Sequence, residues 1–91
     1  MLLALDMGNT NITIGVFEGE RLLLESRLAT DYTKMEDQYA IELLDILRLY
    51  HVDAAQIDGA IISSVVPPLD RIMRHAVKKV TGQTPLMVGP G

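Results

Sequence analysis

A polar turn lies between two apolar segments at the N-terminus of this chain, and it restricts the folds that the chain can adopt. Residues 2–5 are a continuous apolar run, which is typical of a buried strand, and Ile12, Ile14 and Val16 alternate with polar or small residues after the turn. The intervening sequence is Asp6-Met7-Gly8-Asn9-Thr10-Asn11. Because Gly-Asn is a dipeptide of tight two-residue hairpins, we expect a β-hairpin here with positive φ angles in its turn.

The side chains of this turn suit a phosphorylated ligand. Asp6 ends the first strand with a carboxylate, which can hold hydrated Mg²⁺ together with phosphate oxygens. Gly8 lets a ligand approach the backbone, and Asn9, Thr10 and Asn11 carry groups that donate to oxygen atoms. In an ordinary turn, a carboxylate such as that of Asp6 would instead bond backbone N–H groups nearby. We predict that the turn grips the phosphate tail of a nucleotide.

Hydrophobic periodicity predicts a third strand over residues 21–29 and then an amphipathic helix. Apolar residues recur at intervals of three or four positions between Tyr39 and Tyr50, which gives a helix of about four turns. Thr33 and Glu36 have the spacing of a capping box at its start. The first half of the chain is therefore predicted to be an antiparallel meander followed by a helix.

The second half is predicted to alternate strands with a helix. A buried strand around residues 60–62 is stopped by Pro67-Pro68, since proline lacks an N–H donor. A helix begins near Leu69 and ends at Gly82, where glycine can adopt the left-handed conformation. Residues 85–88 form the last strand. The predicted order is β-β-β-α-β-α-β, in which the meander is joined to a parallel βαβ arrangement.

Composition limits the class of protein. The 91 residues suffice for one domain, and 48% are hydrophobic although only 4% are aromatic. This aliphatic excess indicates strands that are buried on both faces together with apolar surface for a segment absent from the chain. The net charge of −4 and the dispersed basic residues argue against nucleic-acid binding. The chain has no cysteine and no apolar run of about 20 residues, so we expect a cytoplasmic protein without a membrane span.

Four ordered segments resemble the type III pantothenate kinases of the acetate and sugar kinase, Hsp70 and actin superfamily. They are the turn with its following strand, Arg27-Leu28-Ala29-Thr30, Ile62-Ser63-Ser64-Val65-Val66-Pro67-Pro68 and Val88-Gly89-Pro90-Gly91. The resemblance covers the chain from Met1 to Gly91. It implies an α/β fold, namely the ribonuclease H-like (actin-like ATPase) half-domain with a mixed sheet and helices. Residues 1–91 would be a single N-terminal ATPase-like domain that is incomplete, with the second half of the enzyme absent.

The resemblance also implies ATP-dependent phosphorylation of pantothenate to 4′-phosphopantothenate, the first step of coenzyme A biosynthesis. It assigns the ATP phosphates to Asp6, Met7, Gly8, Asn9, Thr10, Asn11, Ile12 and Thr13, with Met7, Ile12 and Thr13 acting through their backbone. Asp6 would hold Mg²⁺ through water, and Gly89, Pro90 and Gly91 would contact the substrate. A requirement for K⁺ or NH₄⁺ and a homodimer are further implications. The family's general base lies in a Gly-x-Asp-Arg segment that these residues lack, so we expect no catalytic residue here and an inactive isolated chain.

Several assignments remain open. Arg27 either reaches the site or pairs with a carboxylate across the strands. Ser63 and Ser64 either contact a ligand at the end of their strand or cap backbone groups where the strand stops. The chain could also belong to a regulatory relative or be a fragment that binds without catalysing. A ribonuclease H-like nuclease is less favoured, because two-metal hydrolysis requires converging carboxylates and the acids of this chain are expected in turns and on helix faces.

Overall fold

The computed structural model describes residues 1–89, which form five strands, two α-helices and a one-turn 3₁₀ helix. The strands are β1 (Leu2–Met7), β2 (Asn11–Glu18), β3 (Arg21–Ala29), β4 (Gly59–Ser64) and β5 (Leu86–Val88). The helices are α1 (Glu36–Leu49) and α2 (Pro67–Thr81), and the 3₁₀ helix is Ala54–Gln56. The predicted order β-β-β-α-β-α-β is confirmed, and the 3₁₀ helix is the one addition.

The strands form one mixed sheet in the order β3-β2-β1-β4-β5. β1, β2 and β3 are antiparallel neighbours, whereas β1 pairs in parallel with β4, and β4 pairs in parallel with β5. This arrangement confirms the predicted meander with parallel βαβ units. Because β1, β4 and β5 are parallel, their carboxyl ends lie at one edge of the sheet, where the turn into β2 also lies.

Both helices pack on the same face of the sheet. The core includes alternate residues of β1 and β2, namely Leu3, Leu5, Met7, Ile12, Ile14 and Val16. α1 contributes Tyr39, Leu43 and Leu47, four residues apart, and α2 contributes Leu69, Met73, Ala76 and Val77. Each large side chain buried in this way stabilises the fold by about 1.5–3 kcal/mol relative to an exposed position. This core fixes β1, and with it the start of the turn.

The opposite face, which we call the open face, is not covered by any element of residues 1–89. On β1 it carries Leu2, Ala4 and Asp6, which are exposed or half-buried beside fully buried neighbours. Leu22 and Leu86 are 46% and 64% exposed. The expectation that the strands are buried on both faces is therefore wrong for the described residues. The hydrophobic excess corresponds instead to apolar surface that remains accessible.

The start of α1 differs from the prediction. Thr33 does not cap the helix, because its hydroxyl and its N–H both donate to Asp31 Oδ1, at 2.6 and 2.8 Å. The side chain of Gln38 instead accepts a hydrogen bond of 2.7 Å from the N–H of Met35. The carboxylate of Asp31 is a charged acceptor only two residues away, so it captures Thr33 in a local turn. These bonds also hold the pKa of Asp31 below its usual value, with the Thr33 hydroxyl as the largest cause.

α2 begins at Pro67, two residues earlier than predicted. Proline is favourable in the first turn of a helix because its missing N–H would have no partner there. The proline pair thus lies just after β4 and starts α2. At the other end the prediction for Gly82 is confirmed: its φ is 76° and its N–H donates to the carbonyl of Lys78 at 2.9 Å. Neither α-helix of residues 1–89 has the length and apolar character needed to cross a membrane.

Candidate functional site

The first turn, Gly8–Thr10, connects β1 to β2. With Asn11 at the start of β2, it carries the four residues predicted to contact phosphate oxygens directly. The N–H of Gly8 donates to the carbonyl of Asn11 at 2.8 Å, with Asn9 and Thr10 between them. Neither Gly8 nor Asn9 has a positive φ angle, so the expected left-handed turn is wrong. Gly8 provides room instead, because a Cβ at this position would lie 3.2 Å from the Asn11 carbonyl oxygen. The turn is therefore close-packed on its inner side.

Thr30, the residue after β3, holds the first turn with two hydrogen bonds. Its Oγ1 donates to the carbonyl of Gly8 at 2.7 Å, and its N–H donates to the carbonyl of Thr10 at 3.0 Å. These bonds continue the β2–β3 pairing one step beyond the pair formed by Asn11 and Ala29. Sequence reasoning missed this role and treated Thr30 only as part of a segment that resembles the family.

Asp6 lies on the open face with a carboxylate that no described residue engages. It is exposed, and it takes part in none of the ion pairs or side-chain hydrogen bonds among residues 1–89. By contrast, Asp31 and Asp53 each accept from an N–H two residues further on. The turn-stabilising role that was the alternative for Asp6 is thus absent, and its charge is available to an external cation.

A row of polar residues crosses the open face at the level of Asp6. Asp6 pairs with Thr13 on β2 and with Ser63 on β4, and Thr13 pairs in turn with Arg27 on β3. Directly paired residues of neighbouring strands lie on the same face of a sheet. Arg27 is exposed and forms no ion pair with a described residue, so the predicted carboxylate partner is not observed. The row unites candidates from four strands.

A depression of about 370 Å³ lies on the open face and includes every residue of this row except Arg27. Asp6, Thr13 and Ser63 line it together with apolar residues such as Phe17, Leu22 and Ile61. In register, the polar row lies nearest the first turn, and the apolar residues lie further from it. Apart from the exposed Glu25, the lining therefore becomes apolar with distance from the turn, and an apolar lining with a few polar groups is typical of sites for small organic ligands.

The two serines at the end of β4 have different environments. Ser64 is buried; its Oγ accepts from the N–H of Val66 at 3.0 Å and donates to the carboxylate of Asp70. For Ser64 the capping interpretation is therefore correct. Ser63 is exposed beside Asp6 and remains a candidate ligand contact. The N–H of Val65 donates to the carbonyl of Met7 at 3.1 Å, which ties the end of β4 to the start of the first turn.

The remaining residues that were predicted for the site differ in how exposed they are. Met7 and Ile12 are fully buried towards the helices, so only their backbone can take part in a site. Asn9, Thr10 and Asn11 are exposed. Gly89 is also exposed and follows Val88, which pairs with Ser63, so Gly89 lies at the same sheet edge as the first turn. The other two candidate substrate contacts, Pro90 and Gly91, lie outside the described residues.

The side chains at this edge of the sheet suit a metal cation that is coordinated chiefly by a bound ligand and only partly by the protein. Within the described part of the chain, no three His, Cys, Asp or Glu side chains are grouped closely enough to hold a metal ion. The converging carboxylates that a two-metal nuclease requires are therefore not formed by these residues. One exposed carboxylate, that of Asp6, suits Mg²⁺ coordinated mainly by phosphate oxygens and water.

Sequence comparisons with known proteins identify one family, and a solved structure shows a similar fold. A family model described as type III pantothenate kinase matches residues 2–91. Proteins named type III pantothenate kinase from Geobacter sulfurreducens and Moorella thermoacetica are 44% and 40% identical over all 91 residues, and the chain spans 36% of the length of each. The solved structure of a ROK hexokinase from Thermus thermophilus is similar in fold, with a TM-score of 0.68 and 21% identity over 97% of this chain and 34% of that chain. The chain belongs to the type III pantothenate kinase family.

Proposed function

We propose that the protein carrying this chain transfers the γ-phosphoryl group of ATP to pantothenate, and that residues 1–91 supply the phosphate-binding half of its site. In this proposal they form an incomplete N-terminal ATPase-like domain. Family membership and the relatives' names support the reaction. One observation carries the role of this chain: the unengaged carboxylate of Asp6 lies directly before a close-packed turn with exposed amide and hydroxyl side chains.

The first turn receives the β- and γ-phosphates. Gly8, Asn9, Thr10 and Asn11 contact phosphate oxygens, and Met7, Ile12 and Thr13 contribute backbone groups. Asp6 holds Mg²⁺ through water, for which its lone exposed carboxylate is suited. When bound, the ion neutralises charge on the phosphates, and phosphoryl transfer depends mainly on such neutralisation and on alignment.

Catalysis requires groups that this chain does not contain. A Gly-x-Asp-Arg segment, the family location of the general base, is absent from the 91 residues. Gly89, Pro90 and Gly91 begin the substrate-binding part of the site, a role supported by the position of Gly89 at the same sheet edge as Asp6. The isolated chain therefore binds nucleotide without phosphorylating pantothenate.

Further properties of the enzyme follow from the family resemblance and the composition. It requires K⁺ or NH₄⁺, acts as a homodimer and is cytoplasmic. The lack of cysteine among the 91 residues of this chain supports the last property. The net charge of −4 supports a small-molecule substrate rather than a nucleic acid or an anionic membrane surface. The accessible open face supports contact with further polypeptide.

The test is a comparison of two carboxylate variants in the protein at its encoded length. Asp6→Ala is expected to abolish pantothenate-dependent release of ADP from Mg-ATP. Asp45→Ala removes an exposed carboxylate from α1 and should leave turnover unchanged. Unchanged turnover in Asp6→Ala would remove Asp6 from the mechanism, and nucleotide binding without any turnover in the unmodified protein would identify a regulatory relative.

A further inference from the structure

The first turn is connected to the helical core by a short series of hydrogen bonds. Tyr39, in the first turns of α1, is fully buried. Its hydroxyl accepts from the N–H of Asp31 at 2.9 Å and donates to the carbonyl of the same residue at 2.7 Å. The tyrosine thus satisfies both backbone groups of one residue, which fixes the chain at Asp31.

Thr30, the residue before Asp31, transmits this constraint to the turn. Its hydroxyl and N–H donate to the carbonyls of Gly8 and Thr10, as described above. The dipeptide Thr30-Asp31 is therefore bonded to α1 on one side and to the first turn on the other. We call Thr30, Asp31 and Tyr39 the brace.

Neighbouring side chains strengthen the attachment to α1. A tyrosine hydroxyl keeps its proton at neutral pH and can both donate and accept, and burial raises the pKa of Tyr39 further. Lys34 lies 5.4 Å from the centre of the Tyr39 ring and pairs with Glu42, also on α1. The segment after β3 is thus held to the helix at two points.

The backbone of the first turn differs from that of the commonest two-residue hairpin turns. Two-residue hairpin turns normally have positive φ angles, since that backbone twist matches the twist of the strands. Neither Asn9 nor Thr10, between the bonded residues Gly8 and Asn11, has a positive φ. Left-handed φ angles therefore do not set the shape of this turn, and the two bonds from Thr30 hold its carbonyl groups from outside the turn.

We propose that Thr30 and Tyr39 are positioning residues, which hold the first turn in the shape that receives the nucleotide phosphates without touching the nucleotide. This inference rests on the proposed function for its ligand, Mg-ATP. Its structural part, the dependence of the turn on the brace, can be measured without any ligand. The two parts can therefore fail separately.

The experiment uses three variants of the brace in the protein at its encoded length. Thr30→Val removes the hydroxyl but keeps the shape and the N–H, Thr30→Ser restores a hydroxyl, and Tyr39→Phe removes both bonds to Asp31. Thr81→Val is the matched control, because the Thr81 hydroxyl bonds backbone groups at the remote end of α2. Amide hydrogen exchange at Gly8 is measured without nucleotide, and the Kd for Mg-ATP is measured by calorimetry.

We expect Thr30→Val to raise both the exchange rate at Gly8 and the Kd by roughly 5- to 10-fold, as the loss of one net hydrogen bond implies. Tyr39→Phe should raise both by roughly 2- to 5-fold, because it acts one residue further away. Thr30→Ser should remain within about twofold of the unmodified protein, since a serine hydroxyl can make the same bond. Thr81→Val should change neither quantity.

Each other result is decisive. Unchanged exchange at Gly8 in Thr30→Val overturns the brace, even if Mg-ATP binds normally. Faster exchange at Gly8 with an unchanged Kd for Mg-ATP overturns the role of the brace in positioning the turn. An equal loss of affinity for Mg-ATP in Thr30→Ser and Thr30→Val overturns it as well. Failure of the unmodified protein to bind Mg-ATP overturns the proposed function, and the exchange data then still report on the dependence of the turn on Thr30.

Discussion

Two hairpin turns of the same meander are built in different ways. The second turn, Gly19-Glu20, joins β2 to β3 and has a Gly19 φ of 60°, in the left-handed region that glycine adopts without steric cost. A Cβ on Gly19 would meet no atom within 4 Å. In the first turn φ is not positive, a Cβ on Gly8 would be crowded at 3.2 Å, and Thr30 bonds the turn from another strand.

The difference separates a turn that is encoded locally from one that is held by tertiary contacts. The second turn takes its shape from one glycine and is surrounded by solvent, so it can serve as a connection alone. The first turn is close-packed at Gly8 and is bonded by Thr30, which lies 22 residues from Gly8 in the sequence. The contrast supports the placement of phosphate binding at the first turn.

The largest effect within this comparison is expected for Gly8→Ala. The added methyl group would lie 3.2 Å from the Asn11 carbonyl oxygen, which belongs to the backbone and can yield only by moving the turn. Misplacement of binding groups by a fraction of an ångström should raise the Kd for Mg-ATP by roughly 10-fold. Calorimetric titration of the purified variant measures this, and an unchanged Kd would contradict a close-packed phosphate turn.

Gly19→Ala is the matched substitution in the second turn. Its cost is conformational, because a left-handed φ of 60° is unfavourable for alanine by about 1–2 kcal/mol. Chemical denaturation should show that loss in the free energy of unfolding, while the Kd for Mg-ATP stays unchanged. Weaker nucleotide binding in Gly19→Ala would remove the distinction between the two turns.

The smallest expected effect is a dependence of stability on pH that arises from Asp31, a residue of the brace. The hydroxyl and N–H of Thr33 lower the pKa of Asp31 from its ordinary value of 3.8. Because the pKa of Asp31 is lowered in the folded chain, these bonds stabilise the fold at pH values above the ordinary pKa. Their contribution is lost as the pH falls through the lowered pKa. An NMR titration of the Asp31 carboxyl should give a pKa below 3.8 that returns towards 3.8 in Thr33→Val. Identical titration curves of Asp31 in the unmodified protein and in Thr33→Val would contradict Thr33 as the cause of the lowered pKa.

Sequence patterns predicted the elements better than the contacts between them. The order of the elements along the chain and the left-handed end of α2 at Gly82 depend on periodicity and on glycine, both of which are local. The contact of Thr30 with the first turn depends on register. A bulge between Val16 and Phe17 shifts the β2–β3 pairing by one residue, so counting from the second turn would place Ala29 opposite Thr10. No local pattern marks that bulge.

Competition between nearby hydrogen-bond acceptors explains another difference between the prediction and the structure. The pair Thr33 and Glu36 had the spacing of a capping box, but Asp31 offered Thr33 a closer charged acceptor. Within the candidate site, the sequence identified Asp6 and the turn residues by their chemistry. It could not separate Ser63 from Ser64, because their roles depend on the alternation of faces and on the approach of Asp70 from α2.

The first turn, and not the second, is proposed to receive the phosphates of ATP. The most direct measurement is a titration of the ¹⁵N-labelled protein with Mg-ATP, followed by the backbone amide resonances. We expect saturable shifts at Gly8, Asn9, Thr10 and Asn11, with Gly19 and Glu20 unchanged. Saturable shifts elsewhere in the chain with no change in the first turn would contradict the claim.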